Sequence, residues 1–64
     1  MVERGWLIKL RKDLGLTQQQ AAKLIGISRS YYGEIELGQK NPSGSIAKKI
    51  SELFGFDMAL FYES

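Results

Sequence analysis

The chain of 64 residues contains no cysteine and no histidine. Without cysteine it can form neither a disulfide framework nor a thiolate metal site, and without histidine it lacks the usual general base and the commonest metal ligand. Its seven carboxylates are scattered along the chain, and no pair of nucleophile and base can be assembled without histidine or cysteine. We therefore expect no enzymatic activity, no metal and no cofactor.

Long hydrophobic runs and targeting signals are missing as well. The longest apolar stretches are far shorter than a membrane span, and no secretory signal pattern appears at the N-terminus. The sequence therefore predicts a cytoplasmic protein that does not contact a membrane. Its length predicts one domain over residues 1–64, near the lower limit for a self-supporting core, with no room for a pocket that binds a small-molecule ligand.

An excess of either charge is also absent, because nine basic residues face seven acidic ones and the net charge is only +2. This balance alone does not indicate nucleic acid. The distribution is more informative, because the stretch 17–38 is neutral while basic residues lie on both sides of it. These are Lys9, Arg11 and Lys12 before the stretch, and Lys40, Lys48 and Lys49 after it.

The stretch 17–38 contains two short helical patterns joined by a tight turn. Thr17 and Gln20 have the spacing of a capping box at the start of the first helix, and Gly26 supplies the left-handed residue that ends it. Ser28 can cap the second helix. Apolar residues mark the inner face of both helices, at Ala21, Ala22, Ile25, Tyr32 and Ile35.

Further helices are predicted on either side of this stretch. Leu7 and Leu10, followed by a partly exposed Leu14, have helical spacing and predict a first helix over residues 2–13. Residues 40–45 form a loop, and Ser43 can cap a helix that runs to about Phe54. Its buried stripe is predicted at Ile46, Ala47, Ile50, Leu53 and Phe54. A last short helix, residues 58–62, follows a cap at Asp57.

This arrangement resembles the helix-turn-helix of phage-repressor and Cro-type regulators, the XRE family. Gln18 opens the first helix of the motif, a small residue stands at Ala22, and Gly26 lies in the turn. Further matches cover nearly the whole chain: Leu7, Leu10 and Arg11; Leu16 to Gln18; Ile35, Glu36 and Gly38; Asn41 to Ser43; and Gly55. The resemblance implies an all-α fold, a compact bundle of four to five helices with the helix-turn-helix at helices two and three.

The resemblance also implies a buried ion pair between Arg11 on the first helix and Glu36 near the end of the second motif helix. Such a pair would join helices one and three, and removing one partner would leave a buried charge uncompensated. The alternative is two unpaired charges on the surface.

The family's docking geometry lays helix three in the major groove of DNA. Arg29 is the strongest candidate for base contact, because a guanidinium can donate two hydrogen bonds to guanine; its alternatives are a phosphate contact or a solvated side chain. Glu34 could accept a hydrogen bond from cytosine or pair with Arg29. The predicted base-contact residues are Ser28, Arg29, Ser30, Gly33 and Glu34.

Phosphate contacts are expected on both sides of helix three. Gln18 stands at the start of helix two, where backbone N–H groups and the helix dipole favour an anion. The predicted phosphate-contact residues are Gln18, Tyr31, Lys40, Asn41, Ser43 and Ser45. A half-buried rim position is an equally good interpretation of Tyr31.

The C-terminal segment is unusually apolar. Phe56 and Phe61 are predicted to close the core, which leaves Leu60 and Tyr62 as candidates for a homodimer interface. The function implied is a regulator, a repressor or repressor-like switch, that binds double-stranded DNA at a two-fold operator as a dimer. The alternative is an antitoxin or adaptor whose helix-turn-helix domain mainly binds a partner protein.

Overall fold

The computed structural model describes residues 3–62, and this part of the chain is all-α. Helix α1 spans Gly5–Asp13, α2 spans Gln18–Ile25, α3 spans Arg29–Glu36 and α4 spans Gly44–Phe54. A 3₁₀ helix, Met58–Tyr62, follows. The predicted bundle of four to five helices is confirmed. Within residues 3–62 no helix combines the length and apolarity needed to cross a membrane.

Helix α1 starts later than predicted. The prediction placed its start at residue 2, which lies outside the described residues. The helix begins at Gly5, and Arg4 before it has a non-helical backbone, with φ −84° and ψ 75°. The backbone N–H of Arg4 donates to the carbonyl of Glu36 at 2.7 Å, so a contact with α3 replaces the first helical turn.

The two helices of the motif begin and end on the predicted signals. Thr17 Oγ1 accepts from the N–H of Gln20 at 3.1 Å, and Gln20 Oε1 accepts from the N–H of Thr17 at 2.9 Å. Gly26 ends α2 with φ 92°, a conformation that an L side chain adopts only with strain. Ser28 Oγ then accepts from the N–H of Tyr31 at 3.1 Å and caps α3.

The core lies between helices that pack in a series: α2 packs against α3 and α4, α1 packs against α3, and the 3₁₀ helix packs against α4. Tyr32 and Ile35 of α3 are fully buried, as predicted. In the predicted stripe of α4, Ile46 and Leu53 are only half-buried. The buried apolar residues are Leu7, Ala21, Ala22, Ile25, Tyr32, Ile35, Ala47, Ile50, Phe54 and Phe61.

Three aromatic rings close the core at the chain ends. Trp6 meets Phe56 edge-on with ring centroids 5.0 Å apart and Phe61 with centroids 5.4 Å apart. Since this edge-on geometry is favourable for aromatic pairs, the cluster fastens the C-terminal segment to α1.

The 3₁₀ helix begins on the predicted cap: Asp57 Oδ1 accepts from the N–H of Ala59 at 2.9 Å.

Candidate nucleic-acid interface

The first turn of α3 presents polar side chains to solvent. Ser28, Arg29 and Ser30 are exposed, whereas Gly33 and Glu34, one turn later, are half-buried. Residues four apart are neighbours on a helix surface, so these five predicted base-contact positions form one continuous strip, which we call the reading strip.

A chain of hydrogen bonds connects the reading strip to the interior. Arg29 Nη1 donates to Gln18 Oε1 at 3.1 Å, and Gln18 Nε2 donates to Glu36 Oε1 at 2.9 Å. A guanidinium can only donate and a carboxylate can only accept, so these two partners fix which way the Gln18 amide faces. The orientation of Arg29 is therefore tied to a buried group.

That buried group is the ion pair between Arg11 and Glu36. Arg11 Nε donates to Glu36 Oε2 at 2.6 Å and Nη2 donates to Oε1 at 3.3 Å. The Glu36 side chain is only 1% exposed, and that of Arg11 is 10% exposed. Arg11 Nη1 also donates to the carbonyl of Leu16 at 2.8 Å, just before α2. One guanidinium thus holds α1, the start of α2 and the end of α3 together.

Electrostatics favour the charged forms of this pair. Burial raises the pKa of the Glu36 carboxyl, but the hydrogen bonds from Arg11 and Gln18 outweigh it, so the pKa lies below its ordinary value. The hydrogen bond to Glu36 raises the pKa of Arg11. Tyr32 lies beside the pair, and burial raises the pKa of its phenol, whose oxygen has no hydrogen-bond partner among the described residues.

Several predicted site residues have internal partners that the sequence did not indicate, and at Gln18 and Glu34 these partners change the prediction. Gln18 was assigned to phosphate, but its side chain bridges Arg29 and Glu36. The suggested pairing of Glu34 with Arg29 is wrong, because Glu34 Oε1 lies 3.7 Å from Lys40 Nζ instead.

The end of α3 determines where Lys40 lies. Gly38, with φ 76°, donates its N–H to the carbonyl of Ile35 at 3.2 Å, and Gln39 donates to that of Glu34 at 2.9 Å. These are the two bonds of a Schellman motif. They fold the chain back over the last turn of α3, so that the loop after α3 lies beside the reading strip.

The loop and the start of α4 hold the second set of predicted phosphate contacts. Lys40, Asn41, Ser43 and Ser45 are all exposed. Ser43 Oγ accepts from the N–H of Ile46 at 3.4 Å and lies 3.4 Å from Ser45 Oγ. Tyr31 on α3, predicted as a phosphate contact or alternatively as a rim residue, is half-buried.

Sequence reasoning missed Arg4. Its guanidinium donates from Nη1 to the carbonyl of Ile35 at 2.6 Å and to that of Lys40 at 3.1 Å, and from Nη2 to Asn41 Oδ1 at 2.5 Å. All three acceptors lie more than 30 residues away in the sequence. No local pattern could have indicated this contact.

The candidate dimer residues lie on the 3₁₀ helix. Tyr62 is 60% exposed, whereas Leu60 is half-buried. In the part of the chain that the structure describes, no cluster of three or more acidic side chains could hold a metal ion.

The capped helix pair, its tight turn and the exposed polar strip on the second helix define a helix-turn-helix DNA-binding domain. The family model described as Helix-turn-helix matches residues 7–61, and the chain belongs to this family in its XRE, or phage-repressor, form. This is a family of DNA-binding transcriptional regulators and not a family of enzymes. The protein is accordingly a transcriptional regulator.

Several curated regulators are similar in sequence. The HTH-type transcriptional regulator YqaF of Bacillus subtilis is 47% identical over 94% of this chain and 79% of its own length. The SPbeta prophage-derived regulator YonR of the same organism is 37% identical over 77% of this chain, and the ImmF control region 10 kDa protein of Bacillus phage phi105 is 40% identical over 84%. The matched region spans 45% of YonR and 61% of the phage protein, less than two thirds of each.

Proposed function

We propose that the protein is a repressor that reads a specific DNA sequence by laying α3 in the major groove, and that it binds a two-fold operator as a homodimer. The observation that supports this most is the tethered guanidinium of Arg29 in the exposed first turn of α3. Helix-turn-helix domains contact base edges with this part of the recognition helix.

The hydrogen bond between Arg29 and Gln18 leaves the guanidinium able to bind guanine. Of the five N–H donors of a guanidinium, the contact with Gln18 uses one on Nη1. The edge formed by Nε and Nη2 keeps two parallel donors, which match O6 and N7 of guanine. Because Gln18 already restricts the side chain, less conformational entropy is lost on binding.

The rest of the reading strip contributes less. Ser28 and Ser30 can exchange hydrogen bonds with either bases or phosphates, and Gly33 allows the backbone to approach the groove. Glu34 can accept from cytosine, and its pairing with Lys40 reduces its repulsion from phosphates.

Phosphate contacts on both sides of α3 would fix its register. At the start of α2, backbone N–H groups and the one N–H of the Gln18 amide that is not bonded to Glu36 would face one strand. At the far side lie Lys40, Asn41, Ser43 and Ser45, while Tyr31 offers a hydroxyl from α3 itself. Contacts of this kind set the position of a protein on DNA but carry no sequence information.

Dimerisation would supply the affinity that one module lacks, because a single domain of this kind buries only roughly 600–1,000 Å² on DNA. The exposed ring of Tyr62, with Leu60 beside it, is the candidate contact between protomers. A relative named for a phage control region supports a role in a repressor-type switch.

Selection of binding sites from random duplex DNA tests the proposal directly. We expect an enriched sequence with paired half-sites, and an affinity that falls steeply as salt is raised. Arg29→Ala should change the preferred bases. Lys23→Ala is the matched control, because it removes the same charge from an exposed residue in the last turn of α2, at the opposite end from Gln18.

The proposal fails if no duplex is enriched. It also fails if Arg29→Ala, like the control Lys23→Ala, keeps the base preference of the wild type. A stoichiometric protein partner together with no duplex preference would favour the antitoxin or adaptor function. A single half-site, with the protein monomeric on DNA, would refute the dimer.

A further inference from the structure

Arg4 lies where the end of α3, the loop after it and the 3₁₀ helix meet. Its guanidinium reaches the carbonyls of Ile35 and Lys40 and the amide oxygen of Asn41, at 2.6, 3.1 and 2.5 Å. Asn41 is exposed, and among residues 3–62 its amide nitrogen makes no hydrogen bond.

The contact between the Arg4 guanidinium and the Asn41 amide fixes which side of the amide faces solvent. A guanidinium has five donors and no acceptor, so it can engage only the oxygen side of an amide. The NH₂ side of Asn41 is then the part left for an outside partner. An NH₂ group donates, and a phosphate oxygen accepts, so the amide is presented in the orientation that a DNA phosphate requires.

Arg4 is itself held firmly enough to orient another side chain. Its backbone N–H donates to the carbonyl of Glu36 at 2.7 Å, and its guanidinium carbon lies 5.4 Å from the centroid of the Phe61 ring, a cation–π distance. The bond to the Lys40 carbonyl also fixes the peptide that precedes Asn41. Both the backbone and the side chain of Asn41 thus depend on one guanidinium.

We propose that Arg4 is a positioning residue for phosphate binding, which turns the amide of Asn41 so that its NH₂ group donates to the DNA backbone. This inference rests on the proposed DNA-binding function and extends it to a residue that need not touch DNA. It assigns Arg4 to the affinity of the complex and not to the choice of bases.

The test is a double-mutant cycle on the duplex enriched by the selection, with affinities measured by fluorescence anisotropy. Arg4→Lys keeps the charge, but a single ammonium group cannot reach all three acceptors in the same geometry. Asn41→Ala removes the amide. Each change should weaken binding about tenfold, as expected for the loss of one hydrogen bond to a charged group, and the double variant should bind no more weakly than Asn41→Ala.

Two further measurements separate positioning from a merely structural role. Arg4→Lys should lower the affinity for the enriched duplex and for a duplex with one base pair changed by the same factor, because phosphate contacts do not discriminate between sequences. Asn41→Asp keeps an oxygen for Arg4, and so keeps the fold, but it has no NH₂ group and should bind DNA more weakly than Asn41→Ala. Gln39→Ala, an exposed neighbour in the same loop, is the control.

The outcomes are distinct. If the wild-type protein binds no duplex, the proposed function fails and this inference fails with it. If the wild type binds, additive losses in the cycle, wild-type affinity for Asn41→Asp, or an altered base preference in Arg4→Lys would each overturn the inference alone. If Arg4→Lys does not fold, Asn41→Asp, which keeps Arg4, still decides whether the Asn41 amide nitrogen donates to DNA, and wild-type affinity for it still overturns the inference.

Discussion

Replacing Glu36 by glutamine should destabilise the protein strongly, although the two side chains have nearly the same shape. The Glu36 carboxylate accepts three hydrogen bonds, two from Arg11 and one from Gln18, and is 1% exposed. Glu36→Gln keeps the shape and removes the charge. Whichever oxygen becomes an NH₂ group then faces a donor of Arg11 or of Gln18.

The size of the effect follows from these contacts. Hydrogen bonds to charged groups contribute about 1.5–3 kcal/mol each, and breaking a buried ion pair costs about 3–5 kcal/mol because the remaining charge is uncompensated. A chain of 64 residues has a total free energy of unfolding of about 3–10 kcal/mol. We therefore expect Glu36→Gln to remove about 3–5 kcal/mol and to leave the protein only marginally folded at 25 °C.

Urea denaturation followed by circular dichroism measures this loss. Asp13→Asn is the control, because Asp13 and Lys9 form an ion pair that is exposed and 4.0 Å long, and such pairs contribute about 0–1 kcal/mol. The double variant Arg11→Met with Glu36→Leu should be more stable than either single variant, because no charge is then left buried.

A loss below about 1 kcal/mol for Glu36→Gln, similar to that for Asp13→Asn, would contradict the reasoning. It would mean that water reaches the pair in solution. A double variant less stable than both single variants would mean that shape, and not uncompensated charge, determines the cost.

Three other changes test the same region. Because folding lowers the pKa of the Glu36 carboxyl, the contribution of its ionised form to the free energy of unfolding should be complete above about pH 4.3. That contribution should be lost as the pH falls through the folded-state pKa. A difference in stability between wild type and Glu36→Gln that stays constant down to about pH 2 would contradict this. Gly33→Ala should raise the free energy of unfolding by up to about 1 kcal/mol, since its added Cβ would meet Gln18 at ordinary contact distances of 3.8 and 3.9 Å; a loss of stability in thermal melts would refute it. Tyr32→Phe should leave stability unchanged within about 0.5 kcal/mol or raise it, because the hydroxyl is buried without a partner; a loss above about 1 kcal/mol would indicate a hydrogen bond to Glu36 in solution.

The sequence by itself determined the helices of the motif and the turn between them. The capping box of Thr17 and Gln20 and the cap at Ser28 join residues three apart, and Gly26 needs only its own backbone freedom to end α2. Signals of this kind act within one helical turn, so a pattern along the chain is sufficient to predict them. The resemblance to a known family added the pairing of Arg11 with Glu36, which local patterns cannot supply.

Only the tertiary structure decided how the interface is supported. Gln18 lies 18 residues from Glu36 and 11 from Arg29, and Arg4 lies 31 to 37 residues from the three groups that its guanidinium contacts. Such contacts depend on how α1, α2 and α3 cross, which no local pattern encodes. Even the near pair of Glu34 and Lys40 forms because the chain reverses after α3. The residues proposed to face DNA could therefore be named from the sequence, whereas the side chains that orient them became visible only once the helices were packed.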